Sequence, residues 1–222
     1  MLEQEPDSLP RGLVRIHLVI TRAVDVARRC SRAYANGDEP ADPPAAAGLA
    51  DYLQALVSVL HAHHLGEDEI SFPALRDRFP GAPWERLAEE HRAVVPVLAE
   101  IEGALAGIRQ GPVAAFERLT VTLDRLAALW DPHHRREEEH FSTSALAPLV
   151  PQAEQVDLAA RMSAHAKEHV GPDYLVLPFL LYNLEGEERR AMSALFPPIV
   201  TEQLVPVVWQ GQWSAMKPFL LA

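Results

Sequence analysis

Apolar residues recur along this chain at steps of three and four, the period of a helix that buries one face. No convincing strand-like alternation appears. The pattern predicts a first helix over about Leu13–Ala35, closed by Asn36-Gly37 and followed by DEPADPP, a stretch no helix crosses. A second helix is predicted over about Ala45–Pro73 or a little beyond, and a turn over Pro80–Pro83. A third runs over about Trp84–Arg109 and stops at Gly111-Pro112. A fourth runs from about Val113 to Ala147, with Pro132 expected to kink it just before a histidine pair and Pro148 and Pro151 closing it.

Four long helices with three connections predict an all-α fold, an antiparallel up-down four-helix bundle over residues 1–150. Residues 151–222 read as a helical C-terminal extension, with segments near Gln152–Glu168, Asp173–Tyr182, Gly186–Leu195 and Pro198–Val208 punctuated by prolines. Its apolar side chains (Leu175, Leu177, Phe179, Leu180, Leu181, Val207, Trp209) must pack on the bundle or on a second subunit, so a homodimer through this extension is one expectation.

The core stripes are apolar except at one or two positions each, and those positions hold His or Glu. The first helix gives Leu13, His17, Ile20 and Val24; the second gives Leu56, Leu60, His63, Glu67 and Ile70. The third gives Leu87, His91, Val94 and Leu98; the fourth gives Leu126, Trp130, His133, Glu137 and His140. A carboxylate in an apolar core costs several kcal/mol unless it is paired. A pair of metal ions recovers that cost, with i, i+4 residues such as His63/Glu67 and His133/Glu137 each offering two ligands to one point. In an up-down bundle the early His17 and His91 lie level with the late His63 and His133. The chain also repeats: HHLGEDE and HHRREEE are offset by 70 residues, which makes the bundle two related helical hairpins.

Composition narrows the partners. The net charge of −11 disfavours nucleic acid and anionic membranes, which need a basic face. A single cysteine, Cys30, excludes a disulfide framework, thiolate zinc sites and iron–sulfur clusters, and it reads as a small buried hydrophobe in a reduced, cytoplasmic setting. The N-terminal MLEQEPDSLP has neither a basic segment nor an apolar run, so no signal peptide is expected there. The apolar stretch Tyr174–Tyr182 is too short to span a bilayer.

HxxxE followed by FP in the second helix, a lone histidine early in the first and third, and a second HxxxE in the fourth resemble the haemerythrin-like, or HHE cation-binding, domains over about residues 10–147. The resemblance implies that His17, His63, Glu67, His91, His133 and Glu137 hold two non-haem iron ions. It also implies that Glu67 and Glu137 bridge them, and that an oxygen-derived bridge and an open coordination position complete the site. The expected ligand is a small diatomic or a peroxide: oxygen, hydrogen peroxide or nitric oxide. Haemerythrins proper carry five histidines, and four occupy the clear positions here, which shifts the expectation from simple oxygen carriage toward peroxide, nitric oxide or redox chemistry. His140 is a candidate fifth nitrogen ligand, although the family pattern has an apolar residue there. Imidazole and carboxylate donors alone also accept zinc or manganese.

Other residues weigh less. His61, His64 and His134 lie beside the stripes and read as rim or supporting residues, with His64/Asp68 and His134/Glu138 the shifted-register alternatives. His165 and His169 form a further i, i+4 pair that reads as surface, and Tyr34, Tyr52, Trp130 and Phe141 read as packing, with Trp130 placed to wall the pocket. Two rival functions remain in view: a ferritin-like iron oxidase or store, for which only Glu137/His140 has the Glu-x-x-His spacing, and a metal-responsive regulatory module acting through the extension. A zinc hydrolase fits less well, since it needs one ion with an open water and a dedicated base.

Overall fold

A computed structural model describes residues 8–221, and it contains helices and no strand among them. The N-terminal segment in which no signal peptide is expected lies, up to residue 7, outside the described residues. The first helix, α1 (Leu9–Asn36), starts earlier than the stripe suggested because Pro10 suits the first turn of a helix, where no N–H is needed. It ends at Gly37, whose left-handed φ of 74° lets its N–H turn back to the last carbonyls. The proline-rich loop then starts the next helix: Asp42 caps α2 (Pro43–Gly66) by accepting the Ala45 N–H at 2.8 Å.

At Glu67 the helix changes pitch. Residues Glu67–Ser71 form one π-helical turn, marked by the Phe72 N–H reaching back five residues to the Glu67 carbonyl, before α3 (Phe72–Leu75) resumes the α pitch. Pro73 supplies a local reason, because it has no N–H for the carbonyl four residues earlier. Helices α4 (Trp84–Ile108) and α5 (Val113–His140) complete the bundle, in which α1 neighbours α2, α2 neighbours α4, α4 neighbours α5 and α5 returns to α1. The fourth bundle helix stops at His140 rather than Ala147. Ser142 adopts an extended conformation and caps a separate turn, α6 (Thr143–Leu146), with its hydroxyl near the Ala145 N–H.

The extension continues as α7 (Gln152–His169), α8 (Asp173–Tyr182) and α9 (Gly186–Ala194), then a π-helical stretch Val200–Val208, α10 (Gln210–Trp213) and a 3₁₀ segment Ser214–Phe219. Pro206 lies inside the π-helical stretch, where the Trp209 N–H reaches back to the Leu204 carbonyl at 2.7 Å. These elements cover α2. It therefore has bundle helices α1 and α4 on its flanks and α7, α8 and the 3₁₀ segment over the rest. A helix covered on most of its circumference is apolar over most of it. That burial accounts for a composition in Pro43–Leu75 long and apolar enough to pass as a membrane span.

The chain's last described turn is held by a buried polar node. Tyr52 donates to Asn183 Oδ1 at 2.6 Å, and Arg22 donates to the same oxygen and, at 2.9 Å, to the Phe219 carbonyl. At Gly48 the backbones approach so closely that a Cβ would stand 1.9 Å from the Ala215 carbonyl oxygen.

The core falls into two apolar clusters. The larger holds Ile20, Leu60, Val94 and Trp130; the smaller closes one end of the bundle with Leu13, Phe72, Trp84, Leu87 and Phe141. On every bundle helix the histidines sit between a residue of one cluster and a residue of the other. The polar residues thus form a layer across the bundle, sandwiched between two apolar blocks.

Candidate metal centre

Each helix delivers its side chains to this layer from the stripe that the apolar pattern defines. His17, His63, Glu67, His91, His133 and Glu137 are all buried, with His133 and Glu137 fully inaccessible. His17 Nε2 lies 3.2 Å from Glu137 Oε2, and His133 Nε2 lies 3.4 Å from the same oxygen. His63 Nε2 and His91 Nε2 each lie 3.5 Å from Glu67 Oε2, and His91 Nε2 is 3.7 Å from Glu137 Oε1. The six residues expected on sequence grounds therefore converge on one pocket.

The structure adds a seventh. His64, expected at the rim, is buried, and its ring stacks on His91 with centroids 4.1 Å apart. Two overlapping sets of donor atoms result: His17, His63, Glu67 and Glu137 on the α1 side, and His64, Glu67, His91 and His133 on the α4 side, each set within 4.8 Å. Glu67 belongs to both. His134 has its Nδ1 3.0 Å from the Trp130 carbonyl oxygen, and His140 has its Nδ1 2.8 Å from that of Arg136; neither joins a donor set. His61 is exposed, while His165 lies 2.9 Å from Glu69 and stacks on His169.

The rings are aimed by partners on their outer nitrogens. Nδ1 of His17 meets Glu138 at 2.9 Å, that of His91 meets Asp68 at 2.9 Å, and that of His133 meets Glu90 at 3.2 Å. A carboxylate beside Nδ1 favours the tautomer that carries its proton there, which turns the Nε2 lone pair toward the centre when an ion is bound. Glu90 is fixed in turn by Arg136 at 2.6 Å and Arg86 at 2.7 Å. Asp68 and Glu138, the partners in the shifted-register alternatives, thus orient His91 and His17. Sequence reasoning missed Glu90, whose signal was its position directly before His91 on a helix whose stripe is otherwise apolar. Trp130 walls the layer, its ring 5.3 Å from that of His17 and its Nε1–H donating to Thr21 at 2.9 Å.

His91 Nε2 and His133 Nε2 lie 3.2 Å apart, within hydrogen-bond reach of each other, but the other inward atoms have no such partner. Nε2 of His17, His63 and His64, Oε2 of Glu67 and both carboxylate oxygens of Glu137 are buried without a hydrogen-bond partner. Leaving one buried polar atom unpaired costs about 1–3 kcal/mol, more for a charged one. Six such atoms facing one point do not persist unless something satisfies them. Imidazole nitrogens and carboxylate oxygens are the donors that iron, zinc and manganese accept, so the residues fit a pair of such ions.

Burial and close charges shift the titratable groups of this layer away from their ordinary values. Burial, reinforced by the nearby Glu137 charge, pushes Glu67 well above the usual carboxylate range. Burial would also raise Glu137, but contacts with His17 and His91 outweigh it and hold that carboxyl well below its ordinary value. Burial depresses His63 and His64 strongly, and their imidazole neighbours depress them further. Burial would depress His17 and His91 too, but the carboxylates beside them, Glu137 and Glu138 for His17 and Asp68 and Glu137 for His91, raise both.

A family model described as the hemerythrin HHE cation binding domain matches residues 10–145, which include all seven inward-facing residues. No curated protein and no solved structure matches the chain.

Proposed function

Because the chain belongs to the hemerythrin HHE cation-binding family, we propose that it is a non-haem di-iron protein that binds or reacts with oxygen, peroxide or nitric oxide. The observation that carries the reading is the pair of buried donor sets sharing Glu67, in which six inward atoms, from His17, His63, His64, Glu67 and Glu137, have no hydrogen-bond partner. One ion would be held by His17, His63, Glu67 and Glu137, the other by His64, Glu67, His91 and His133. Two bound irons would supply one-electron and oxygen chemistry that no side chain here performs.

The chain's own residues set the conditions. Glu138, Asp68 and Glu90 face Nδ1 of three imidazoles and would favour the tautomers whose Nε2 atoms can take an ion. Trp130 and Phe72 close the layer with aromatic surface and exclude bulk water. His134 stands at its edge, 5.7 Å ring to ring from His17, where a titrating group can pass protons between solvent and the layer. A ferritin-like role is disfavoured, since His140 turns back to its own helix. The deciding test is metal analysis with an optical spectrum of protein purified aerobically with iron. About two irons per chain and an oxo-bridge charge-transfer band support the reading; one zinc and no visible band overturn it.

A further inference from the structure

A cavity of about 970 Å³ opens between α1 and α2 on one side and the extension's α7, α8 and α9 on the other. Its walls are mostly carbon: Leu13, Ile16 and Val59 from the bundle face Val156, Leu177 and Met192 from the extension. At the inner wall stand His63 and Glu67, whose Nε2 and Oε2 atoms are among the unpartnered ones, whereas His64, His91 and His133 do not line it. Where α7 borders the cavity it presents small side chains, Ala159, Ala160, Ser163 and Ala164, which leave the space open.

The size decides what the cavity is for. A diatomic molecule needs no more than about the 30 Å³ share of a water. Pockets of about 300–1,000 Å³ hold organic ligands of drug size. We propose that this cavity binds a neutral, hydrocarbon-like organic molecule, with one end against His63 and Glu67. The charges argue against an anionic ligand. The Arg15 guanidinium is engaged by Glu188 at 2.9 Å, and the exposed Lys167 shares the rim with Glu168 and Asp173. No surplus of positive charge is left to hold a carboxylate or phosphate. The helices α7–α9 lie beyond the family match, so the extension converts a bundle with a small buried centre into one with an organic binding site beside it. Binding needs only the cavity; a role for the bound molecule as substrate rests on the di-iron reading.

The test uses the full chain, iron-loaded and iron-free, with aminoanthracene as a neutral fluorescent probe and dodecanol and dodecanoate as competitors. Saturable one-to-one binding displaced by dodecanol and more weakly by dodecanoate is expected. Ala159→Phe and Ser163→Phe should each weaken binding by about tenfold or more while leaving helicity and iron content unchanged. A diazirine-bearing dodecanol should label peptides containing Val156 and Leu177 in the unaltered protein, which needs no variant to fold. Absent saturable binding, unchanged affinity in both folded variants, stronger competition by dodecanoate, or labels confined to other surfaces each overturn the proposal. If the protein takes up no iron but still binds the probe, the di-iron reading fails and this one stands.

Discussion

His63 and His64 are adjacent in sequence yet serve opposite walls of the bundle. The His63 ring lies 5.1 Å from His17 on α1, and the His64 ring stacks on His91 of α4 at 4.1 Å. Neighbouring residues on a helix point about 100° apart, so one HH doublet on a helix flanked by α1 and α4 reaches both donor sets. His63→Ala and His64→Ala should therefore each weaken one metal position. Metal titration of each variant should show one tight site kept and one lost. Unchanged two-site binding in His64→Ala would remove His64 from the ligand set.

The carboxylates behind the histidines set their aim. Glu90→Gln keeps the shape but removes the charge that Arg86 and Arg136 hold against His133. Metal affinity should fall by about 10–100-fold, the usual cost of losing such a support. Competition with a chelator of known affinity measures it.

Metal uptake should release protons. Burial and the Glu137 charge push the Glu67 pKa well above the ordinary carboxylate range, so without ions it holds its proton to higher pH than a free carboxyl does. His17 and His91 are raised by their carboxylate neighbours despite burial. Coordination needs the deprotonated carboxylate and the neutral imidazoles, so metal affinity should fall as pH drops and rise as it increases. Calorimetry in buffers of different ionisation enthalpy reads the protons released, and a pH-independent affinity would contradict the assignment.

Gly48 marks a close backbone approach between bundle and extension. A Cβ there would stand 1.9 Å from a backbone oxygen, so the 3₁₀ segment must shift in Gly48→Ala. Overpacking of this kind costs about 1–3 kcal/mol. Thermal unfolding should show a lower midpoint, and proteolysis should reach the C-terminal segment first.

Chelation of the ions should destabilise the fold. An ion at one hundred times its dissociation constant contributes about 2.7 kcal/mol by mass action alone. A thermal midpoint that is the same with and without metal would separate the ions from folding.

Much of this site was legible in the stripes. His17, His63, Glu67, His91, His133 and Glu137 stand out because each interrupts an apolar row at helical spacing, and the bundle places all six in one layer. His64 did not stand out, because the stripe assumes that each helix has one buried face, and α2 is buried on more than one: the extension covers much of what the bundle leaves open. Glu90 escaped, and Asp68 and Glu138 stood out only as alternative ligands, for a related reason: a ring's second nitrogen points off the stripe toward the helix flank. The apolar tail announced that it would be buried, but where it lands depends on the Gly48 approach and the Tyr52–Asn183 node, which join positions far apart in sequence.

The layer of histidines also divides the molecule's cohesion. Apolar contact runs unbroken through the larger cluster and again through the smaller, but the two meet across a sheet of polar atoms facing inward. Without ions that sheet is a seam. The end block of Leu13, Phe72, Trp84 and Phe141 should then open at a lower free energy than the rest, as a separate cooperative unit. With ions bound the seam becomes a rivet, and the bundle should unfold as one piece. Metal occupancy would then set how many parts the protein melts in as well as how hot it must be to melt.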